Sequence, residues 1–234
     1  MKRNIFTLLL AAGFLASCGS LAGLGGTSGT VTEAEAASGI RQALDKGVST
    51  GISYLNKQDG FFGNQAYKLF LPPDARKIEN VMRDIGLGKT VDRAILQINR
   101  AAEDAVGYAT PIFTEAIREM TIQDAWNILR GEQDAATRYF REKTTAKLTA
   151  AFAPIIQRSL DRLEATRHYS EIITAYNKLP TTFNKLNPDL PSYVTEKAVD
   201  ALFDQIAKEE ANIRANPRAR TTEILKKVFG SIRG

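Results

Sequence analysis

The chain is poor in the residues that carry most enzymatic and metal chemistry. Its 234 residues include one cysteine (Cys18), one histidine (His168) and one tryptophan (Trp126). A lone cysteine excludes an internal disulfide, and one cysteine with one histidine excludes zinc-type clusters. No spaced Asp/Glu loop of the calcium-binding kind is present either, so neither metal nor cofactor is expected. Stability must therefore come from an ordinary apolar core, which a chain of this length can bury. Charge is not strongly biased. Setting aside Lys2 and Arg3 of the N-terminal segment leaves 29 basic and 26 acidic residues, a balance that does not indicate a nucleic-acid binder. With 44% hydrophobic and 24% charged residues, the chain falls in the soluble globular class.

The N-terminus has the layout of a targeting segment. Lys2 and Arg3 form a positive start, and Ile5 to Leu15 is an apolar run of eleven residues, too short to span a bilayer. It ends in Leu15-Ala16-Ser17-Cys18, which resembles the lipobox of bacterial lipoproteins. That resemblance implies diacylation of the Cys18 thiol, cleavage before it and acylation of the new amino group. Two or more acyl chains make a stable anchor where one does not. The alternative is an ordinary cleaved signal that happens to precede a cysteine. Gly19 follows where an aspartate would signal inner-membrane retention, which points to the outer membrane, facing the periplasm. Residues 19–33 are rich in Gly, Ser and Thr and lack periodicity, a tether with a reach of roughly 20 Å. The expected organisation is a signal at 1–17, a lipidated tether at 18–33 and a domain at 34–234.

That domain reads as all-α, a single irregular multi-helix bundle. Ile40, Leu44, Val48, Ile52 and Leu55 recur every three or four residues and predict a helix near 34–56. Residues 56–73 are irregular, with a turn at Asp59-Gly60 and an extended Tyr67–Leu71 before Pro72-Pro73. A second helix runs near 73–85 and stops at Gly86. A third carries Val91, Ile95, Ile98, Ala102, Ala105 and Ala109, and Pro111 kinks or restarts it on the way to Met120. Thr121 with Asp124 makes a capping box for a short helix that Gly131 closes. A long helix with Pro154 inside it follows, then a short one near 168–178. Pro180, Pro188 and Pro191 mark a loop, Thr195 caps the next helix, and Asn216-Pro217 opens the last. No alternating run suggests a sheet.

Several segments are similar to a bacterial envelope family, the domain of unknown function numbered 4197. They are Asp59-Gly60-Phe61, Asn99 to Glu103, Met120-Thr121 with Asp124-Ala125, Asp134 to Thr137 with Tyr139-Phe140, Tyr193-Val194-Thr195, and Ile213 to Gly230. The likeness covers nearly all of residues 34–230. It implies a helical, signal-bearing protein and carries over no catalytic or ligand residue.

Two catalytic look-alikes fail on context. Gly47-Val48-Ser49-Thr50-Gly51 matches the nucleophile-elbow pattern, but it lies within a helical repeat with no strand before it. Gly86-Leu87-Gly88-Lys89-Thr90 ends like a phosphate loop, but Arg83 stands where the first glycine belongs. Gly86 reads instead as a helix C-cap and Thr90 as the next N-cap. His168, among Arg162 and Arg167, reads as a surface residue. No catalytic residue is assigned.

Two constellations go beyond helix packing. Asn99, Arg100 and Glu103 flank an apolar stripe, with Arg100 able to pair with Glu103 or Asp104. The plain reading is a structural salt bridge. The functional one places Arg100 and Tyr139 on the wall of a groove that holds a headgroup or peptide. The second constellation is the tail, where Arg214, Arg218, Arg220, Lys226, Lys227 and Arg233 face Glu223 alone. With Arg218 and Arg220 in the first turn of the last helix, positive charge opposes the helix dipole. Either Glu209 and Glu210 compensate, or Arg214, Arg218 and Arg220 bind an anion.

The expected function is a non-catalytic, membrane-anchored module that binds an envelope protein, an anionic headgroup or a cell-wall ligand. The alternatives are a membrane-surface hydrolase built on carboxylates such as Glu103 and Asp124, and a lipid carrier. The hydrolase lacks a nucleophile–base pair, and the carrier requires an enclosed apolar cavity.

Overall fold

A computed structural model describes residues 31–76, 79–178 and 189–230. The signal segment, Cys18 and most of the tether lie outside the described residues, as do Pro180, Pro188 and Arg233. The described chain is all helix and connection, and holds no strand. Its elements are α1 (Glu33–Leu55), the short α2 (Pro73–Arg76) and α3 (Glu79–Met82), α4 (Gly88–Val106), α5 (Thr110–Glu119), α6 (Ile122–Arg130), α7 (Ala135–Arg162), α8 (Ala165–Asn177), α9 (Leu190–Ala215) and α10 (Glu223–Gly230). No helix among the described residues is long and apolar enough to cross a membrane.

Local chemistry sets most boundaries. Thr32 and Glu35 form a capping box that starts α1, and Thr121 with Asp124 does the same for α6, as expected from sequence. Gly86 takes φ 89°, a left-handed turn that ends the α2–α3 segment before α4 begins. The expected cap at Thr90 is not used, because α4 already begins at Gly88. Pro111 sits in the first turn of α5, where its missing amide costs nothing, so α4 ends in a short 3₁₀ turn and the chain restarts.

Two further boundaries differ from expectation. Asp189 accepts from the Ser192 amide and opens α9 at Leu190, with Pro191 in its first turn. Thr195 therefore lies inside the helix and donates back to the Pro191 carbonyl at 2.8 Å. Asn216-Pro217 opens only a 3₁₀ turn, Pro217–Ala219, and α10 starts at Glu223. Arg218 and Arg220 thus precede the last helix instead of opposing its dipole.

The core is organised around α7 and α9, which pack along each other, with α4 against both. Phe113 of α5 meets Phe140 of α7 and Phe203 of α9 edge-on, with centroids 5.0 and 6.1 Å apart. On the other side of α9 lies α1, with α5, α6 and α10 around it, and α8 covers α4. Small residues permit the close crossings. A Cβ on Gly39 would come within 2.7 Å of Val228, which is why α10 can lie tightly on α1. Gly47 and Gly51 face α9 more loosely, with room for a Cβ at ordinary contact distance, so the elbow-like motif is a helix-packing surface.

Candidate functional site

Between α1 and α2 the chain runs seventeen residues without a helix, and α4 holds that stretch by its backbone. Asn99 is fully buried and treats Leu69 as a neighbouring strand would. Its amide donates to the Leu69 carbonyl at 2.7 Å, and its carbonyl accepts the Leu69 amide at 2.8 Å. Four residues on, one helical turn away, the buried Glu103 accepts the amides of Phe61 and Phe62 at 3.0 and 3.1 Å. Arg100 donates to Glu103 at 2.7 Å and to Asp59 at 2.8 Å, joining the same turn from outside. Asn56 closes the clamp by donating to the Glu103 backbone carbonyl at 2.7 Å.

The turn itself is specified by its sequence. Asp59 adopts φ 65°, which aspartate tolerates better than most residues, and Gly60 presses against the end of α1. A Cβ on Gly60 would approach the Leu55 carbonyl oxygen to 2.3 Å. The other end of the segment is fixed by Tyr67. Its hydroxyl lies 2.7 Å from Asp204 and 2.8 Å from the Gln205 side-chain oxygen, and accepts from Lys208 at 2.8 Å. Burial pushes the Asp204 carboxyl up, but the bonds from Lys208 and Tyr67 outweigh it and hold it below the usual aspartate range.

With the backbone turned inward, aromatic rings and cations line the outer side. Lys57 lies over Tyr54, Lys68 over Phe62 at 4.3 Å and over Phe70 at 5.8 Å, and Arg76 over Phe70 at 5.2 Å. Phe70 is 42% exposed although the adjacent Leu69 is buried. Phe70 edges an open groove, which Lys68, Arg76, Tyr193, Lys197, Asp200 and Asp204 complete. The acids in this groove already have cations: Asp200 pairs with Lys197 and Arg141, and Asp204 with Lys208. No carboxylate among the described residues pairs with Lys68 or Arg76.

The second constellation is structural in a different way. Glu210 of α9 accepts the Ala136 and Thr137 amides at 3.0 and 2.9 Å, capping the start of α7 from another helix. It also takes Arg214 at 2.9 Å, and Arg214 reaches on to the Ile128 carbonyl at the end of α6. Arg220 is buried and donates to the Ile213 and Arg214 carbonyls, so it caps the end of α9. Arg218 is exposed. The three arginines are thus not gathered into one site. Tyr139 is also elsewhere: its hydroxyl donates to the Ala116 carbonyl at 3.4 Å, and it lines a groove with Asp124, Arg138 and Glu142. No contact among the described residues joins it to Arg100.

His168 is a correction. It is 4% exposed, and neither ring nitrogen has a hydrogen-bond partner; Nδ1 lies 3.6 Å from Glu171. Its helix carries Ala165, Tyr169, Ile172 and Ile173 on the buried face, and position 168 shares it. The two carboxylates of the hydrolase reading hold backbone amides in separate places. Glu103 binds Phe61 and Phe62, and Asp124 binds Thr121, whose side-chain and backbone bonds keep the Asp124 carboxyl below its usual range. An apolar cavity lined by Ile40, Leu44, Ile128, Ile206, Ile213 and Phe229 has room for about one water, not an acyl chain.

Sequence reasoning found the inner half of this site (Asn99, Arg100 and Glu103) and missed the outer half. Lys68, Phe70, Arg76, Tyr193 and Lys197 were not among the candidate site residues, although Tyr193 lies in one of the family-like segments. The available signal was the interleaving of Tyr54, Phe61, Phe62, Tyr67 and Phe70 with Lys57, Lys68 and Arg76 in a stretch without helical period. Neither the curated proteins nor the solved structures contain a match to the chain. A family model described as "Protein of unknown function (DUF4197)" matches residues 30–230, which include both the clamp and the groove. The chain belongs to that family.

Proposed function

We propose that this protein is a lipid-anchored, non-catalytic binding module of the bacterial envelope. Acyl chains on Cys18 hold it to a membrane, the outer membrane on its periplasmic side. The described helical domain presents the face built on residues 54–76 to a ligand. The observation that carries this reading is the direction of the clamp. Asn99 and Glu103 bind the loop's backbone from inside, and this leaves Phe70, Lys68 and Arg76 outward. Loops set rigidly on a helical scaffold are where binding residues concentrate, and pre-ordering lowers the entropy lost on association. The internal roles of Glu103 and Asp124 argue against a carboxylate-based hydrolase.

The anchor is tested by feeding cells radiolabelled palmitate and fractionating membranes. The parent chain should incorporate label and sediment with the outer membrane. Cys18→Ser should lose label and appear in the soluble periplasmic fraction. Equal behaviour of the two chains would overturn the anchor.

A further inference from the structure

Resting on the binding-module reading, we infer that the groove between the clamped loop and α9 is a site for a short acidic peptide. A carboxylate of the ligand lies between Lys68 and Arg76, and its apolar stem rests on Phe70 and Tyr193. Four observations converge on this. Lys68 and Arg76 both lie by the exposed Phe70 ring, Arg76 also bonding the Tyr193 side chain, and neither has a carboxylate partner among the described residues, although every acid lining the groove has a cation. Asp92, whose carboxyl Lys68 helps to lower, is already paired with Arg83 at 2.7 Å. Leu69, between Lys68 and Phe70, is held at both its amide and its carbonyl by Asn99, so the two side chains project from a fixed backbone. Tyr193 and Lys197 come from the first turns of α9, a second rigid element, so the groove has two fixed walls.

The mixed lining sets the ligand class. A guanidinium and an ammonium beside an aromatic ring suit a carboxylate on an apolar stem. Asp200 and Asp204 on the opposite wall repel a dianionic phosphate more than a single carboxylate, and they offer acceptors for peptide N–H groups. The concave shape also takes a chain end or side chain better than a flat bilayer does.

The test uses the full-length chain in detergent and fluorescence anisotropy of a labelled, C-terminally amidated hexapeptide with one glutamate among alanines. The parent should bind saturably, and binding should weaken at least tenfold in the Lys68→Ala/Arg76→Ala double variant and in Phe70→Ala. Arg158→Ala, which removes an exposed charge on α7, should leave it unchanged. Inorganic phosphate should compete no better than chloride at equal ionic strength. Absence of binding, equal binding by the double variant, or equal loss in Arg158→Ala would overturn the site. Binding of inorganic phosphate or of phosphatidylglycerol vesicles in place of the peptide, with the same residue dependence, would overturn the ligand class. Peptide binding without palmitate labelling would remove the anchor and leave the site; labelling without peptide binding would do the reverse.

Discussion

Two Arg–Glu pairs at helical spacing, Arg100–Glu103 on α4 and Glu210–Arg214 on α9, look alike in sequence and work differently in the fold. Both carboxylates are buried, at 6% and 7% side-chain exposure, and each accepts two backbone amides. Glu103 receives its amides from an irregular loop, whereas Glu210 receives them from the first turn of α7. The first carboxylate therefore orders a surface and the second completes a core. Their arginines follow suit. Arg100 is 26% exposed and shares Asp59 with the turn, whereas Arg214 is 14% exposed and ends on an α6 carbonyl.

The largest effect should come from the core pair. Glu210→Gln leaves Arg214 buried without a countercharge and weakens the cap on α7, so it should cost on the order of 3–5 kcal/mol in denaturant unfolding. A loss below about 1 kcal/mol would show that Arg214 finds solvent or another partner. Glu103→Gln should cost less, about 2–3 kcal/mol, because Arg100 keeps Asp59 and partial exposure. The two should separate in binding. Glu103→Ala, which removes the oxygen that takes both loop amides, disorders the loop and lowers affinity for the acidic peptide, whereas Glu210→Gln, assayed where it is still folded, leaves affinity intact. If Glu210→Gln weakens peptide binding as much as Glu103→Ala, the distinction between the two pairs fails.

Much of this was legible in the sequence. Capping chemistry is local, so Thr121 with Asp124 and the stop at Gly86 were readable. The same rule would have placed the start of α1, because Thr32 and Glu35 have capping-box spacing, but the Gly/Ser/Thr-rich run around them reads as tether. Pro191 and Pro217 were harder. A proline one or two residues after Asp or Asn opens an α-helix, a 3₁₀ turn or a loop with equal local sense, and tertiary packing decides which. The candidate site divides in the same way. Asn99, Arg100 and Glu103 stand out as polar residues beside an apolar stripe. Tyr193 and Lys197, however, are ordinary helix residues until α9 is laid beside the loop. No local pattern predicts a contact across more than a hundred residues.

His168 sharpens the comparison from the opposite side, as a buried polar residue whose ring nitrogens make no hydrogen bond, with Glu171 3.6 Å from Nδ1. Replacing it with leucine removes two unpartnered nitrogens from the interior and should stabilise the domain by about 1 kcal/mol, read as a raised denaturant midpoint at unchanged slope. Destabilisation by a similar amount would assign His168 a bond that the geometry does not contain.

The smallest effect is at the periphery, where Glu35 ties α1 to Lys227 of α10 at 2.6 Å. The Lys227 bond first, and the Thr32 bonds next, lower the Glu35 carboxyl from 4.5 to about 2. A depressed carboxylate contributes stability above its unfolded pKa and loses it as pH falls through the folded value. Glu35 should therefore contribute fully above about pH 4.5 and lose its contribution by about pH 2. Glu35→Gln should flatten the acid limb of the stability profile slightly in that window. An unchanged profile would leave the contact without energetic weight.

The clamp is tested most directly by amide hydrogen exchange at Phe61, Phe62 and Leu69. These amides belong to no helix, yet each donates to a buried side chain of α4. They should exchange as slowly as amides in the middle of α4, and Glu103→Ala, which removes the accepting oxygen, should release Phe61 and Phe62 while leaving Leu69 protected. Exchange at the rate of an unstructured loop in the parent chain would contradict the account.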